Sequence, residues 1–352
     1  MTRRIAFAVP GDLGIPTGGY TYDRRIIAEL DRLGFGVEVI DLGEEFPRPS
    51  PQIRAAALAK LAAVPRGVAI VLDGLALGVL PEIAALRGRN PLIGLVHHPL
   101  ALETGLAAGE AECFRASERA ALASVQKILV TSAAVARILV ADYGVAPDRI
   151  DVAFPGSEPV TAARRSTGRS GEDVALLSVG IIVPRKGYDL LVAALDTLRE
   201  LPWRLTIAGD RARDRKEAAR LDADIVCRGL EGRIAIEGEV TAERLAKLYS
   251  AADLFVLASR FEGYGMAFAQ AIAYGVPVIG TTAGAIAETV PDGGGLLVPP
   301  GDVAALAAAL RRLISDADER ARLAANARAA AERLPTWEAA AAVFARAIAA
   351  VS

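Results

Sequence analysis

Three short stretches of this 352-residue chain combine residue types and spacings that can do chemistry. The longest runs Ser259-Arg260-Phe261-Glu262-Gly263-Tyr264-Gly265-Met266-Ala267 and reaches Gln270. It follows the apolar run Leu254 to Ala258, which predicts a buried parallel strand, and leads into an apolar segment stopped by Gly275 and Pro277. A strand therefore passes into a helix through a loop with two glycines. Gly263 and Gly265 let the backbone come close to a ligand, and the unpaired amides of the helix's first turn favour an anion there. Glu262 is a poor phosphate ligand but a good acceptor for sugar hydroxyls, so the expected ligand is part phosphate and part sugar. The second stretch, Arg185-Lys186-Gly187, puts two cations at a strand–helix junction. The third, His97-His98-Pro99, holds the only histidines and ends the apolar run Leu92 to Val96. The carboxyl end of a parallel strand is where α/β sheets place ligands. A metal is not expected at this pair, because adjacent residues of an extended segment point to opposite faces and no acid or thiol lies nearby in sequence.

The elements that must position these residues alternate along the chain. Strands are expected at Ile5–Val9, Val37–Asp41, Val68–Leu72, Leu92–Val96, Lys127–Ser132 and Ile150–Ala153 in the first half. In the second half they are expected at 174–180, 205–208, 234–240, 254–258, 276–280 and 295–299. Helical patterns lie between them, including Tyr20–Leu33, Ala133–Tyr143, Tyr188–Arg199, Glu243–Ser250 and a long Ala-rich stretch from Val303, capped by Asp302. The loop from Pro10 to Gly19 lacks a GxGxxG spacing, which disfavours a dinucleotide site at the first strand. The polar stretch 161–173 reads as an interdomain linker. Such alternation argues two doubly wound α/β domains.

The run from Glu262 to Gln270 resembles the Glu-x7-Glu signature of the retaining glycosyltransferases of family 4. Glu262 matches the first acid, and Gln270 stands where the second is usual. The resemblance covers nearly the whole chain and implies the GT-B fold, two Rossmann-like domains facing each other across a cleft. The first would be 1–165, with a terminal helix 337–352 crossing back to it, and would take the acceptor; the second, 166–336, would hold the nucleotide sugar. It further implies that Lys186 and Arg185 stabilise the leaving diphosphate and that Glu262 meets the transferred sugar. His97 would lie against that sugar, with His98 the alternative. Gly18 and Gly19 would touch the donor diphosphate and the acceptor, while Gly263, Tyr264, Gly265, Met266, Ala267 and Gln270 would hold the nucleotide. Many members carry Arg directly after the glycine that ends the strand at 180; this chain has Ile181 there. The expected activity is retaining, metal-independent transfer from a nucleoside-diphosphate sugar to a saccharide, lipid or small-molecule acceptor, with no cofactor. The acidic triplets Asp222-Ala223-Asp224 and Asp316-Ala317-Asp318 fall in helical, charge-rich segments and are read as solvated faces, so no metal site is assigned.

Composition narrows the rest. Hydrophobic residues make up 53% and charged ones 23%, enough to bury full cores, and a net charge of -2 without a basic half argues against nucleic acid. Cys113 and Cys227 form no ligand pattern and are expected as buried thiols in a reducing compartment. With no targeting signal and no apolar run long enough to span a bilayer, a cytoplasmic protein is expected. Some members of the family bind membranes through a basic apolar helix in this half. Here Arg54, Lys60 and Arg66 are spaced too widely for more than weak peripheral contact, and a solvated face is expected. The rival readings are a sugar-nucleotide-binding protein without turnover, prompted by Ile181 and Gln270, and an epimerase on the same fold.

Overall fold

The computed structural model describes residues 3–15, 17–158, 160 and 173–352. The chain divides into two compact units, Met1–Gly156 with Pro335–Ser352, and Ser157–Leu334. The expected linker 161–173 and the expected boundary at 165 lie, save for Asp173, outside the described residues.

The first unit holds β1 (Arg3–Val9), α1 (Gly18–Arg32), β2 (Phe35–Asp41), α2 (Pro51–Ala63), β3 (Ala69–Asp73) and α3 (Gly74–Leu77). It continues through β4 (Leu92–Val96), α4 (Glu110–Ser124), β5 (Lys127–Val130), α5 (Ala133–Tyr143) and β6 (Ile150–Val152). The second unit runs through β7 (Val174–Val179), α6 (Tyr188–Asp196), β8 (Trp203–Ala208), α7 (Arg215–Cys227), β9 (Ile234–Gly238) and α8 (Ala242–Ala251). After these come β10 (Leu254–Val256), α9 (Met266–Ala273), β11 (Val278–Thr281), α10 (Ile286–Thr289), β12 (Gly295–Val298), α11 (Val303–Ser315) and α12 (Ala317–Ala331). The last helix, α13 (Trp337–Val351), belongs to the first unit.

Each unit is built on a six-stranded sheet, ordered β2-β1-β3-β4-β5-β6 in the first and β12-β11-β10-β7-β8-β9 in the second. Every neighbouring pair is parallel, and β3 and β4 are buried along their whole length, as fits sheets covered by helices on both faces. The order reverses between β1 and β3 in one sheet and between β7 and β10 in the other. In open α/β sheets the crevice beyond the strand ends at such a reversal is where ligands bind. The Arg185 and Glu262 stretches follow β7 and β10 at such a reversal, while His97 follows β4, the strand beside β3.

Four local expectations change. The helix expected from Tyr20 begins two residues earlier, because the Thr17 side chain accepts from the Tyr20 amide at 3.2 Å and caps it. The stretch expected to be one helix from Val303 is two, because Asp316 ends α11 and caps α12 by accepting from the Glu319 amide at 2.8 Å. The helix expected to reach Arg199 stops at Asp196. Both cysteines are exposed rather than buried. The buried stripe of α4 runs through Phe114, Glu118, Ala121 and Leu122, and that of α7 through Ala218, Leu221 and Ile225; Cys113 and Cys227 lie off those stripes.

Helix α13 completes the first unit's core. The Phe344 ring, fully buried, stacks on Phe7 of β1 with centroids 6.5 Å apart and packs on Tyr22 at 6.2 Å. Trp337 meets the same Tyr22 ring at 5.8 Å, and the Tyr22 hydroxyl donates to the Ala153 carbonyl at 2.8 Å. Truncating such a ring leaves a cavity as well as losing its burial, so Phe344→Ala is expected to destabilise the first unit by about 3 to 5 kcal/mol. Urea unfolding of the parent and variant measures this, and an unchanged midpoint contradicts the packing role of α13.

Candidate active site

In the second unit the loops after β7 and β10 meet at the reversal of strand order. Their closeness depends on glycine. Gly187 has φ +67°, and a Cβ there would lie 2.1 Å from the Ala258 carbonyl oxygen. Gly284 has φ +61°, and its Cβ would fall 2.1 Å from the Glu262 carbonyl oxygen, which the Ala285 amide meets at 2.9 Å. Only glycine allows both the backbone conformation and the approach.

The side chains then converge on one acid. Glu262, buried, accepts from Lys186 Nζ at 2.6 Å and from Ser259 Oγ at 2.6 Å, and its other oxygen lies 3.5 Å from Arg185 Nη1. Arg185 also donates to the Phe261 carbonyl at 3.0 Å, and Thr281 Oγ1 donates to the Ser259 carbonyl at 2.6 Å. Burial pushes the Glu262 carboxyl upward in pKa, but the Lys186 and Arg185 cations outweigh it and hold it below its ordinary value. The Lys186 stem passes over Gly180, where a Cβ would come within 3.2 Å of Cε. Beyond the acid, Gly265 at φ +96° starts the eight-residue α9, whose first turn no side chain caps.

In the first unit His97 directly follows β4 with its ring against Gly19, at whose position a Cβ would meet the imidazole at 3.5 Å. His97 Nε2 lies 3.1 Å from Asp23 Oδ1 on α1 and 3.3 Å from Asp73 Oδ2 at the end of β3, while the Tyr22 ring packs edge-on at 5.3 Å. His98 lies apart from this set, 3.4 Å from Glu103. Burial disfavours the charged imidazole, but the carboxylates of Asp23 and Asp73 outweigh it and raise the His97 pKa from 6.5 to about 10. Asp23 in turn is raised to about 6, chiefly by burial, with the imidazolium opposing.

Residues 160–330 match the family model described as glycosyl transferases group 1. A D-inositol 3-phosphate glycosyltransferase of Acidothermus cellulolyticus is 30% identical over 341 residues, covering 88% of this chain and 76% of that protein. The chain belongs to the group 1 glycosyltransferases. A second D-inositol 3-phosphate glycosyltransferase, from Xylanimonas cellulosilytica, is 34% identical over 241 residues, which is 64% of this chain and 58% of the relative's own length. Among solved structures, the sucrose-phosphate synthase of Thermosynechococcus elongatus superposes with a TM-score of 0.81 at 24% identity, over 99% of this chain and 100% of that one. The GT-B fold expected from the sequence is therefore the fold of this chain.

Within that fold, Arg185, Lys186 and Glu262 come together, as do Gly19 and His97, while Gly18 opens α1 beside Gly19. Gly263, Tyr264, Gly265, Met266, Ala267 and Gln270 follow in the loop and first turns after Glu262. The acidic triplets lie elsewhere. Asp222 and Asp224 pair with Arg211 and Arg228, and Asp316 caps a helix. On α2, Arg54 forks onto Glu82 at 2.9 and 3.1 Å and Lys60 donates to the Asp41 carbonyl at 2.6 Å, so two of the three cations weighed for membrane contact are engaged within the protein. No described helix is long and apolar enough to cross a membrane.

The acids that sequence distance hid from His97 are the main correction. Asp23 and Asp73 come from residues far upstream, and with His97 they bring three possible metal-ligand atoms within 4.8 Å of one another. A signal was present: Asp23 shares the buried stripe of α1 with Ile26 and Leu30, and an acid on an apolar stripe calls for a buried partner. Asp73, directly before the helix-starting Gly74, caps α3 through the Leu75 amide at 2.8 Å.

The charge on His97 is testable. With a pKa raised above 6.5, protonation of His97 contributes stability that is lost as the pH rises towards about 10, and its pairing with Asp23 also weakens as the pH falls through about 6, where that acid takes up a proton. Nitrogen NMR of the ring at pH 8 is expected to show imidazolium in the parent and a lower titration midpoint in Asp73→Asn. A neutral ring at pH 8 in the parent contradicts the double ion pair.

Proposed function

We propose that this chain is a retaining, metal-independent glycosyltransferase of the family 4 type that moves a sugar from a nucleoside-diphosphate sugar to an acceptor hydroxyl. The observation that carries the reading is the convergence of Arg185, Lys186 and Glu262 at the strand-order reversal of the second sheet. In such a transfer the bond from the anomeric carbon to the diphosphate oxygen breaks. The bond to the acceptor oxygen forms on the same face, and the acceptor's proton leaves with the diphosphate. Negative charge builds on the leaving group, so fixed cations stabilise the transition state more than the ground state. Lys186 and Arg185 take that role, and Glu262 accepts hydroxyls of the transferred sugar. The loop from Gly263 through Ala267 brings backbone amides to the nucleotide, and Gln270 meets its ribose as a neutral donor and acceptor. In the first unit, Gly18, Gly19 and His97 are assigned to ligand contacts by the family resemblance. The names of the two relatives make inositol 3-phosphate the first acceptor to assay.

The central test removes one cation. Losing a single preorganised electrostatic donor costs roughly a hundred- to a thousandfold in rate. Lys186→Ala is expected to lose about that much turnover, assayed with UDP-glucose, UDP-N-acetylglucosamine and GDP-mannose as donors. A variant that works like the parent removes Lys186 from the chemistry, and nucleotide binding without any transfer product turns the chain into a binding protein.

Because two cations take the charge-neutralising part that a metal plays elsewhere, activity is expected to survive EDTA unchanged. Loss with EDTA and recovery with manganese would overturn the metal-independent reading and direct attention to the Asp23, Asp73 and His97 group.

A further inference from the structure

Arg260 lies two residues before Glu262 and binds the opposite loop at four points. Its guanidinium forks onto Asp189 in the first turn of α6, at 2.9 Å from Nη1 and 2.7 Å from Nη2, and Nη1 also donates to the Pro184 carbonyl at 2.6 Å. Its backbone amide donates to the Arg185 carbonyl at 2.7 Å. The short turn carrying Arg185 and Lys186 is thus held at the Pro184 carbonyl before it, at the backbone carbonyl of Arg185 within it, and at Asp189 after it. Burial raises the Asp189 carboxyl, but Arg260 outweighs it and keeps the acid below its ordinary value, so the fork is a full ion pair.

We propose that Arg260 is a positioning residue: its bonds to Asp189, Pro184 and Arg185 fix where the two cations present their charge to a diphosphate. The inference rests on the nucleotide-sugar reading of this site. Only a planar fork with several fixed donors can hold a carboxylate and a carbonyl together in this way, which a point-charge ammonium does not reproduce. Displacing a binding or catalytic group by about 1 Å can cost on the order of a hundredfold, so a loop staple at this place controls the site without touching the ligand.

The test is a double-mutant comparison by calorimetric titration of UDP and of GDP into the full chain. The forms are the parent, Arg260→Gln, Lys186→Ala and the double variant. Arg260→Gln is expected to weaken the diphosphate that the parent binds by about tenfold, and by roughly threefold or less when Lys186 is already gone, because a residue acting through another loses its effect with it. The same factor in both backgrounds would mean general loosening of the fold and overturns the inference, as does parent-like binding by Arg260→Gln. If that variant does not fold, Arg260→Lys and Asp189→Asn carry the same comparison. A parent that binds neither UDP nor GDP overturns the nucleotide reading itself, a result seen before any variant is made.

Discussion

The second unit depends on a buried carboxylate balanced by two cations from another loop. Glu262 and Lys186 are separated by 76 residues yet meet at 2.6 Å, both with their side chains largely out of water. Removing either partner of such a pair leaves an uncompensated buried charge, whose effective cost is several kcal/mol. The surrounding structure is arranged to keep the pair intact. Ser259 satisfies the same carboxylate oxygen, Arg185 approaches the other, Gly187 lets its loop close on the end of β10, and Gly284 lets the loop after β11 close on the Glu262 carbonyl. The two cations are thereby held in fixed positions by the protein itself.

The first unit uses a related device with the signs exchanged. There a single histidine lies between two acids, and its ring is braced by Tyr22, which the aromatic side chains of α13 support from behind. The terminal helix therefore reaches the site through packing alone. Each unit places its charged cluster beyond the carboxyl ends of parallel strands next to a reversal in strand order, where neighbouring loops diverge and leave room for a ligand.

Much of this was legible in the chain. The strands lie within a few residues of their expected places because apolar runs of four to eight residues bounded by glycine and proline, set between helical patterns, mark buried parallel strands. Lys186, Glu262 and the two glycines before α9 could be singled out because each stands at a strand–helix junction, a local property. The misjudged ends, at Thr17, Asp196 and Asp316, turn on cap hydrogen bonds that compete with helix propensity. Cys113 and Cys227 are exposed because helical phase, which residue type does not reveal, decides burial.

What the sequence determined by itself is therefore the set of elements and the chemistry of each loop, since both follow from near neighbours. Tertiary structure decided which loops share a site. Nothing in the residues around His97 announces Asp23 or Asp73, and nothing around Arg260 announces Asp189; these partners are set by which strands lie side by side and by the register of their ladders. That choice belongs to the whole sheet, because parallel neighbours are joined by long crossovers and their pairing is fixed only when both faces are buried.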